Sequence, residues 1–378
     1  MVRRGKTLWV FFLLFSGFFI AATAPAGAAT QNWKAEWDKT VAAARKEGKV
    51  AVLHGGGASV TMQNMLKDGF QKAYPGIQVE ALVGGGQNVT PRLLAERRAG
   101  RYDWDVYIGG TTTALTLLIP AKVLDPIPPV LILPEVKDGK KWFGGEIDYA
   151  DNAKTYNLAF GGYVQPPFAY NTKLVKGNAL QSWWDLLKPE WRGKLIMFDP
   201  RAPGTGLASA TFIYAQKALG KDYLRKLLTE QKYDLSLDYR QILEETARGN
   251  YLLGWGIHLG IYDELAKKGL PLGRFPVDRI KEGSYLTTAT ASLGLMNRAP
   301  HSNAAKVYIN WFLTKEAQTA YSRASTYWSR RVDVPTDHLE QAIVPKAEKY
   351  DSYQANYKEK YVAMRDEIVD FLRTVMKR

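Results

Sequence analysis

Short apolar runs alternate with stretches of helical spacing over the first part of the chain. Residues 50–53, 77–83 and 105–108 predict strands, the first of them buried, and the segments between them predict helices. Each of these runs is followed by a glycine-rich turn. The alternation predicts a parallel α/β sheet, in which ligands bind at the carboxyl ends of the strands.

A second strand–turn–helix unit lies in the middle of the chain. Residues 194–198 predict a buried strand, and the spacing of apolar residues predicts a helix over residues 207–219. Gly204 and Gly206 permit a tight turn around Thr205. Backbone N–H groups at such a helix start suit an anion, although a turn that needs glycine for its geometry alone explains the same residues. The turn lacks the lysine of a Walker loop and the third glycine of a dinucleotide fingerprint.

The remaining pattern continues the α/β alternation and ends in a helix. The predicted strands are residues 168–170, 251–255 and 286–296, the last of them a return strand. The predicted helices are residues 240–249, 261–269, 301–313, 315–321 and the tail, 350–378.

The first residues have the composition of an export signal. Arg3, Arg4 and Lys6 precede an apolar run at residues 8–20, and small residues lead up to Ala29. We therefore predict a signal peptide over residues 1–28, cleaved on export to the periplasm. The chain has no cysteine, which excludes disulfides, thiolate chemistry and lipid attachment at an N-terminal cysteine. The roughly 350 residues that remain suit about two domains.

The charge balance bears on the partner. The net charge of the chain is +14 and falls to +11 without Arg3, Arg4 and Lys6. Lysines and arginines are interspersed with acidic residues and form no dense block. This pattern argues against a nucleic acid partner and mildly favours an acidic ligand.

Four segments resemble the ferric-iron-type periplasmic solute-binding proteins of ABC importers. Residues 37–50 are similar to the opening helix and strand of that family, and residues 183–206 to the start of its second lobe. Residues 299–313 resemble its return segment, and residues 331–334 a family Arg-x-Asp-Val turn. Together the four segments extend over nearly the whole chain between the predicted signal peptide and about residue 335.

The resemblance implies two α/β lobes joined by crossover strands, the type II periplasmic binding fold. We expect lobe 1 to comprise residues 29–165 and 286–345, lobe 2 residues 166–285, and residues 346–378 to form a C-terminal helix packed on a lobe. It also implies that the Thr205–Gly206 helix start receives an anion. We expect a monomer without a cofactor that delivers a small anionic solute to an inner-membrane ABC permease.

One departure from the family concerns the metal. Iron binders of the family have adjacent tyrosines in the segment that matches residues 254–260, whereas this segment contains His258 and the chain has no Tyr-Tyr pair. His54 and His258 without phenolates make a poor ferric site, so we predict no metal. The alternatives are a ferric binder with another ligand set and an exported enzyme. No Ser-His-Asp arrangement is visible to support the enzyme.

The candidate ligand-binding residues follow strands or lie in the central turn. Four hydroxyl residues stand at predicted helix starts, where helix capping explains each equally well. Two arginines offer planar forks for an anion, but Arg331 could instead pair with Asp333. Trp255 could stack on the solute or pack in a core. The predicted set is Ser59, Thr111, Thr112, Arg201, Thr205, Gly206, Trp255 and Arg331.

Overall fold

The computed structural model describes residues 26–55, 60–84, 86–346 and 354–376. The chain first builds most of one lobe and then crosses to the second. Its first elements are α1 Ala26–Glu47, β1 Lys49–His54, α2 Val60–Asn64, α3 Phe70–Ala73, β2 Gln78–Val83, α4 Gly86–Arg98, β3 Val106–Gly109, α5 Thr111–Thr113, β4 Leu124–Asp125, α6 Pro134–Lys137, β5 Asp148–Tyr149, β6 Leu158–Ala159 and β7 Gly161–Val164. Two π-helical turns, Met65–Gly69 and Ala114–Leu118, join α2 to α3 and extend α5.

The second part of the chain forms lobe 2, returns to lobe 1 and ends in the tail. Its elements are β8 Phe168–Asn171, β9 Leu195–Phe198, α7 Thr205–Ala215, α8 Gly220–Glu230, β10 Tyr233–Ser236, α9 Tyr239–Arg248, β11 Leu253–Trp255, α10 Leu259–Lys267, β12 Leu272–Arg274, β13 Tyr285–Thr287, β14 Ser292–Met296, α11 Ser302–Phe312, α12 Lys315–Ser325, β15 Trp328–Ser329, β16 Gln354–Ala355, α13 Glu359–Ala363 and α14 Arg365–Val375. Short 3-10 helices are Pro128–Val130, Gly139–Lys141, Trp183–Leu187, Pro189–Trp191, Val277–Arg279 and Gln341–Ile343.

Lobe 1 is organised around a seven-stranded sheet among the described residues. Its order is β2-β1-β3-β14-β6-β5, with β4 beside β14. β1 runs parallel to β2 and β3, whereas β14 is antiparallel to β3. Alternate residues of β1, Val50 and Val52, lie in the core with residues of α1 and α11. Buried Asp105 accepts hydrogen bonds from the backbone N–H groups of Ala51 and His301, which fixes β1 and the start of α11 to β3.

Lobe 2 has a five-stranded sheet of order β10-β9-β11-β8-β12. Helices α7 and α8 cover one face, where Phe212 and Leu224 join Trp183 in the core. The helix predicted over residues 207–219 ends at Ala215, and the following residue, Gln216, donates from its side-chain amide to the Glu282 carbonyl. Strands β9 and β11 are parallel, and their carboxyl ends lie beside the start of α7.

The two lobes are joined by a four-stranded hinge sheet of order β15-β7-β13-β16. The chain passes from lobe 1 to lobe 2 through β7 and returns through β13, which is antiparallel to it. The single return strand predicted over residues 286–296 is wrong. A bend at Ala289, where φ is 48°, separates β13 in the hinge from β14 in the lobe 1 sheet.

The tail departs from the single helix predicted over residues 350–378. Among its described residues, β16 adds a strand to the hinge sheet, α13 is one short turn of helix, and α14 packs on lobe 2. Lys358 and Tyr357 between them bind Asp148 of lobe 1. These polar contacts fix the turn between β16 and α13, where the apolar spacing alone predicted a helix. No helix in the described ranges has both the length and the apolar character needed to span a bilayer.

Candidate functional site

The turn that leads into α7 is held in shape by an ion pair. Arg201 donates from Nε to Oδ1 of Asp199 at 2.9 Å and from Nη2 to Oδ2 at 2.7 Å. Burial would raise the pKa of Asp199, but its hydrogen bonds to Arg201 lower it, so the carboxylate stays ionised. Arg201 is thus already bidentate to a carboxylate and its side chain is 37% exposed. It orders the turn, and its guanidinium can meet a solute only with its remaining N–H groups.

The first turn of α7 leaves backbone donors available. Thr205 donates its hydroxyl to the Gly256 carbonyl, and its N–H lies 3.3 Å from the hydroxyl of Tyr239. The N–H groups of Gly206 and Leu207 have no acceptor among the residues the structure describes. An α-helix leaves such groups unpaired at its N-terminus, where the macrodipole adds positive potential.

Two glycines allow the end of β11 to touch the start of α7. Gly256 has a φ of 74°, and a Cβ on it would lie 3.2 Å from N and Cα of Gly206. A Cβ on Gly206 would lie 2.5 Å from the Phe198 carbonyl. The prediction that Gly206 permits a tight turn around Thr205 is consistent with this geometry. The two turns form one continuous surface of backbone at the carboxyl edge of the lobe 2 sheet.

Tyr239 covers this surface. Its ring stacks on Phe198 with centroids 4.2 Å apart and lies 5.4 Å from the ring of His258. Tyr239 is not among the residues predicted from the sequence, because it begins α9 and nothing in its local pattern connects it with the α7 turn. Asp238 caps α9 with its carboxylate, and that cap fixes where the Tyr239 side chain starts.

Two of the predicted lobe 1 hydroxyl residues are described, and one of them is buried while the other is exposed. Thr111 is buried, and its hydroxyl lies 3.1 Å from that of Thr288 in the loop after β13. Thr112 is exposed and accepts a hydrogen bond of 2.7 Å from Nη1 of Arg365. Ser59, the third predicted lobe 1 hydroxyl, lies outside the described residues. Thr112 is therefore the predicted lobe 1 residue whose hydroxyl contacts the C-terminal tail.

Trp255 does not face a solute. Its side chain is completely buried in the lobe 2 core together with Phe212 and Leu224. The alternation of strand β11 points this residue into the core because neighbouring Gly254 faces Ile242 on the other side of the sheet. Trp255 therefore packs in a core, which was the alternative to stacking on the solute, and its buried ring has no free face for stacking.

Arg331 is likewise a structural residue. It is 1% exposed and donates to Asp333 through Nε and Nη2, both at 2.9 Å, and to the Leu313 carbonyl at 3.0 Å. Glu135 is a further acidic partner, at 3.3 Å. With its donors engaged inside lobe 1, Arg331 has no part in the candidate site. The structure therefore contains the Arg331–Asp333 pair, which was the alternative to a ligand-binding role for Arg331.

The histidines considered for a metal lie on different lobes. His54 ends β1 and is buried, while His258 precedes α10 and is exposed. No three His, Asp or Glu side chains of the described residues are grouped so that they could hold a metal ion. The absence of a metal remains a prediction.

Comparisons with known proteins agree with this architecture. Residues 55–319 match the family model described as bacterial extracellular solute-binding protein. A periplasmic protein from Salmonella typhimurium, whose name assigns it to 2-aminoethylphosphonate binding, is 28% identical over 308 residues, which are 80% of this chain and 84% of the relative.

Two solved structures have the same fold at lower identity. Iron-bound HitA from Pseudomonas aeruginosa is 18% identical with a TM-score of 0.63, and the alignment covers 86% of this chain and 99% of HitA. AfuA from Actinobacillus pleuropneumoniae, with fructose-6-phosphate bound, is 20% identical with a TM-score of 0.56, and the alignment covers 87% and 99%. The predicted two-lobed type II fold is confirmed. The chain belongs to the bacterial extracellular solute-binding proteins and is the periplasmic solute-binding component of an ABC importer.

Proposed function

We propose that the chain captures a small anionic solute of the phosphonate or phosphate-ester class between its two lobes. The observation that carries the proposal is the start of α7, where the N–H groups of Gly206 and Leu207 have no acceptor among the described residues. Backbone donors at a helix N-terminus favour an anion through hydrogen bonds and the macrodipole together.

The names of similar proteins support the same class of solute. One relative is named for 2-aminoethylphosphonate, and one structural neighbour holds fructose-6-phosphate. Both molecules present a tetrahedral phosphorus group with charged oxygens. Such a group accepts several N–H donors at once, which suits the adjacent N–H groups of the α7 turn.

The setting we propose is that of a periplasmic carrier. The signal peptide over residues 1–28 would be cleaved on export, and the protein would act as a monomer that delivers its solute to an inner-membrane permease. It would catalyse no reaction. Residues 1–25 lie outside the described part of the chain, so the proposal for the signal peptide rests on the sequence.

Changing the charge at the helix start tests the class of solute. Thr205→Asp is expected to weaken binding of 2-aminoethylphosphonate at least tenfold, or about 1.4 kcal/mol, because the carboxylate repels the anion. Thr205→Asn is the matched control, since it also removes the hydroxyl that donates to Gly256 but adds no charge. An acidic residue at a helix start favours the helix, so Thr205→Asp is expected to stay folded. Calorimetry would measure both affinities, and equal affinities of the two variants would contradict the proposal.

Ferric iron tests the metal alternative. We expect no visible charge-transfer band when the protein is mixed with ferric citrate, since residues 254–260 contain no tyrosine that could supply a phenolate ligand. Absorbance between about 400 and 600 nm, with citrate alone as the reference, provides the measurement. A coloured one-to-one complex would favour the ferric binder.

A further inference from the structure

The tail crosses between the lobes a third time. The start of α13 lies against lobe 1, where the N–H of Glu359 donates to the Ala150 carbonyl at 3.0 Å and its carboxylate accepts from the N–H of Asn152 at 2.7 Å. Its last helix, α14, lies against lobe 2, where Ile368 and Leu372 are fully buried. The short stretch between these contacts therefore spans the boundary between the lobes, and Arg365 is part of it.

Arg365 extends from the start of α14 to the lobe 1 turn. Its Nη1 donates to Oγ1 of Thr112 at 2.7 Å. Its Nε is buried and has no hydrogen-bond acceptor among the described residues. No Asp or Glu of residues 26–55, 60–84, 86–346 or 354–376 forms an ion pair with it, and Tyr285 is the group whose charge acts on it. Within those residues, the guanidinium is thus a half-buried cation without an anionic partner.

The three most deeply buried arginines are neutralised by carboxylates, whereas Arg365 is half-buried. Arg274 pairs with Glu340 and Asp263, Arg330 with Asp148, and Arg331 with Asp333. Burying a charge without a partner is costly, and proteins normally pair or solvate such a group. Burial lowers the pKa of Arg365, as expected for a cation that no anion stabilises.

Two hydroxyl groups lie near this cation, one on lobe 1 and one in the hinge sheet. Arg365 lies close enough to Tyr285 for its charge to oppose the burial that raises the pKa of that phenol. The Tyr285 hydroxyl lies 3.2 Å from Oγ of Ser209, one helical turn beyond the start of α7. A line of donors therefore runs from Thr112 on lobe 1 through Arg365 and Tyr285 to α7 on lobe 2.

We propose that Arg365 of the tail is a ligand-binding residue whose guanidinium pairs with the charged oxygens of the solute. The inference rests on the proposed function, because it takes the solute to be a phosphonate or phosphate. The α7 turn contributes neutral backbone donors from lobe 2, and Arg365 supplies the positive charge. Because the tail contacts both lobes, the pair would form where the lobes meet and would favour the closed arrangement.

The test compares two arginines of the same helix. Arg365→Gln keeps a hydrogen-bond donor for Thr112 and removes the charge, and Arg365→Lys keeps the charge. Arg373→Gln is the matched control, since Arg373 is exposed on α14 and pairs only with Asp370. Calorimetry with 2-aminoethylphosphonate and with inorganic phosphate, together with thermal denaturation without added anion, would be run on all four proteins.

We expect Arg365→Gln to weaken binding of both anions at least thirtyfold, Arg365→Lys to lose less, and Arg373→Gln to bind within twofold of wild type. The melting temperature of Arg365→Gln without anion is expected to equal or exceed that of wild type, since a half-buried cation without an anionic partner among the described residues is removed. If Arg365→Gln lowers the melting temperature and leaves the affinity unchanged, Arg365 is a structural contact. That result would overturn this inference but not the proposed solute class. Failure of the wild-type protein to bind either anion would overturn the proposed solute class, and this inference with it.

Discussion

Gly162→Ala is expected to lower the free energy of unfolding by about 3 kcal/mol, through steric overlap and backbone strain together. Gly162 lies in β7 of the hinge sheet with a φ of 145°, and a Cβ there would lie 1.9 Å from the Thr287 carbonyl. That carbonyl belongs to β13, so the two crossover strands would have to separate. Chemical denaturation followed by circular dichroism would measure the change.

Gly283→Ala provides the control for backbone strain alone. Gly283 has a φ of 70° just before β13, and a Cβ on it would meet no atom within 4 Å. Its replacement is expected to cost about 1 kcal/mol, the ordinary penalty of a positive φ for an alanine. If both variants lose the same stability, the contact between β7 and β13 is looser than the structure shows.

Leu372→Ala is expected to lower the free energy of unfolding by about 2–5 kcal/mol, the usual cost of truncating a fully buried leucine. Leu372 is completely buried on α14, in the lobe 2 core that also contains Leu224 of α8 and Phe212 of α7. Chemical denaturation would give the stability. Hydrogen exchange would show whether protection is lost first in α14.

Thr374→Ala is the matched control two residues further along α14. Thr374 is exposed, and its hydroxyl donates only to the Asp370 carbonyl within the same helix. Its replacement is expected to change the free energy of unfolding by less than about 0.5 kcal/mol. Equal stabilities of the Leu372→Ala and Thr374→Ala variants would show that α14 is not part of the lobe 2 core.

Local periodicity predicted the elements that have one apolar face. The strand that became β9 and the helix that became α9 follow directly from such patterns, and Gly249 ends α9 in the left-handed conformation as a glycine at that position predicts. Periodicity failed where tertiary pairing decides the conformation. The run over residues 286–296 is rich in Thr, Ala and Leu and contains no proline, so nothing local marks the bend at Ala289 that assigns its two halves to different sheets.

The candidate site was predicted only where the local sequence determines the conformation. The Thr205–Gly206 turn is encoded locally by glycines between a strand and a helix, and the structure places it at the edge of the lobe 2 sheet. Trp255 and Arg331 were selected for residue type, which says nothing about whether a side chain points inward or is already paired. Arg365 is distant in sequence from every other candidate. Only the path of the tail brings it to Thr112.

The tail also sets a mechanical limit on the motion of the lobes. Between its attachment to lobe 1 at Glu359 and its first fully buried residue on lobe 2, Ile368, the chain is mostly helical. At about 1.5 Å per residue, this stretch spans only roughly 13 Å, and it can lengthen only by unwinding. β15 and β16 on either side of the crossover strands make the hinge a sheet, which yields more easily by twisting than by bending in its plane. We therefore expect the lobes to open by a small rotation that the length of the tail limits. The solute would have to be released within that rotation.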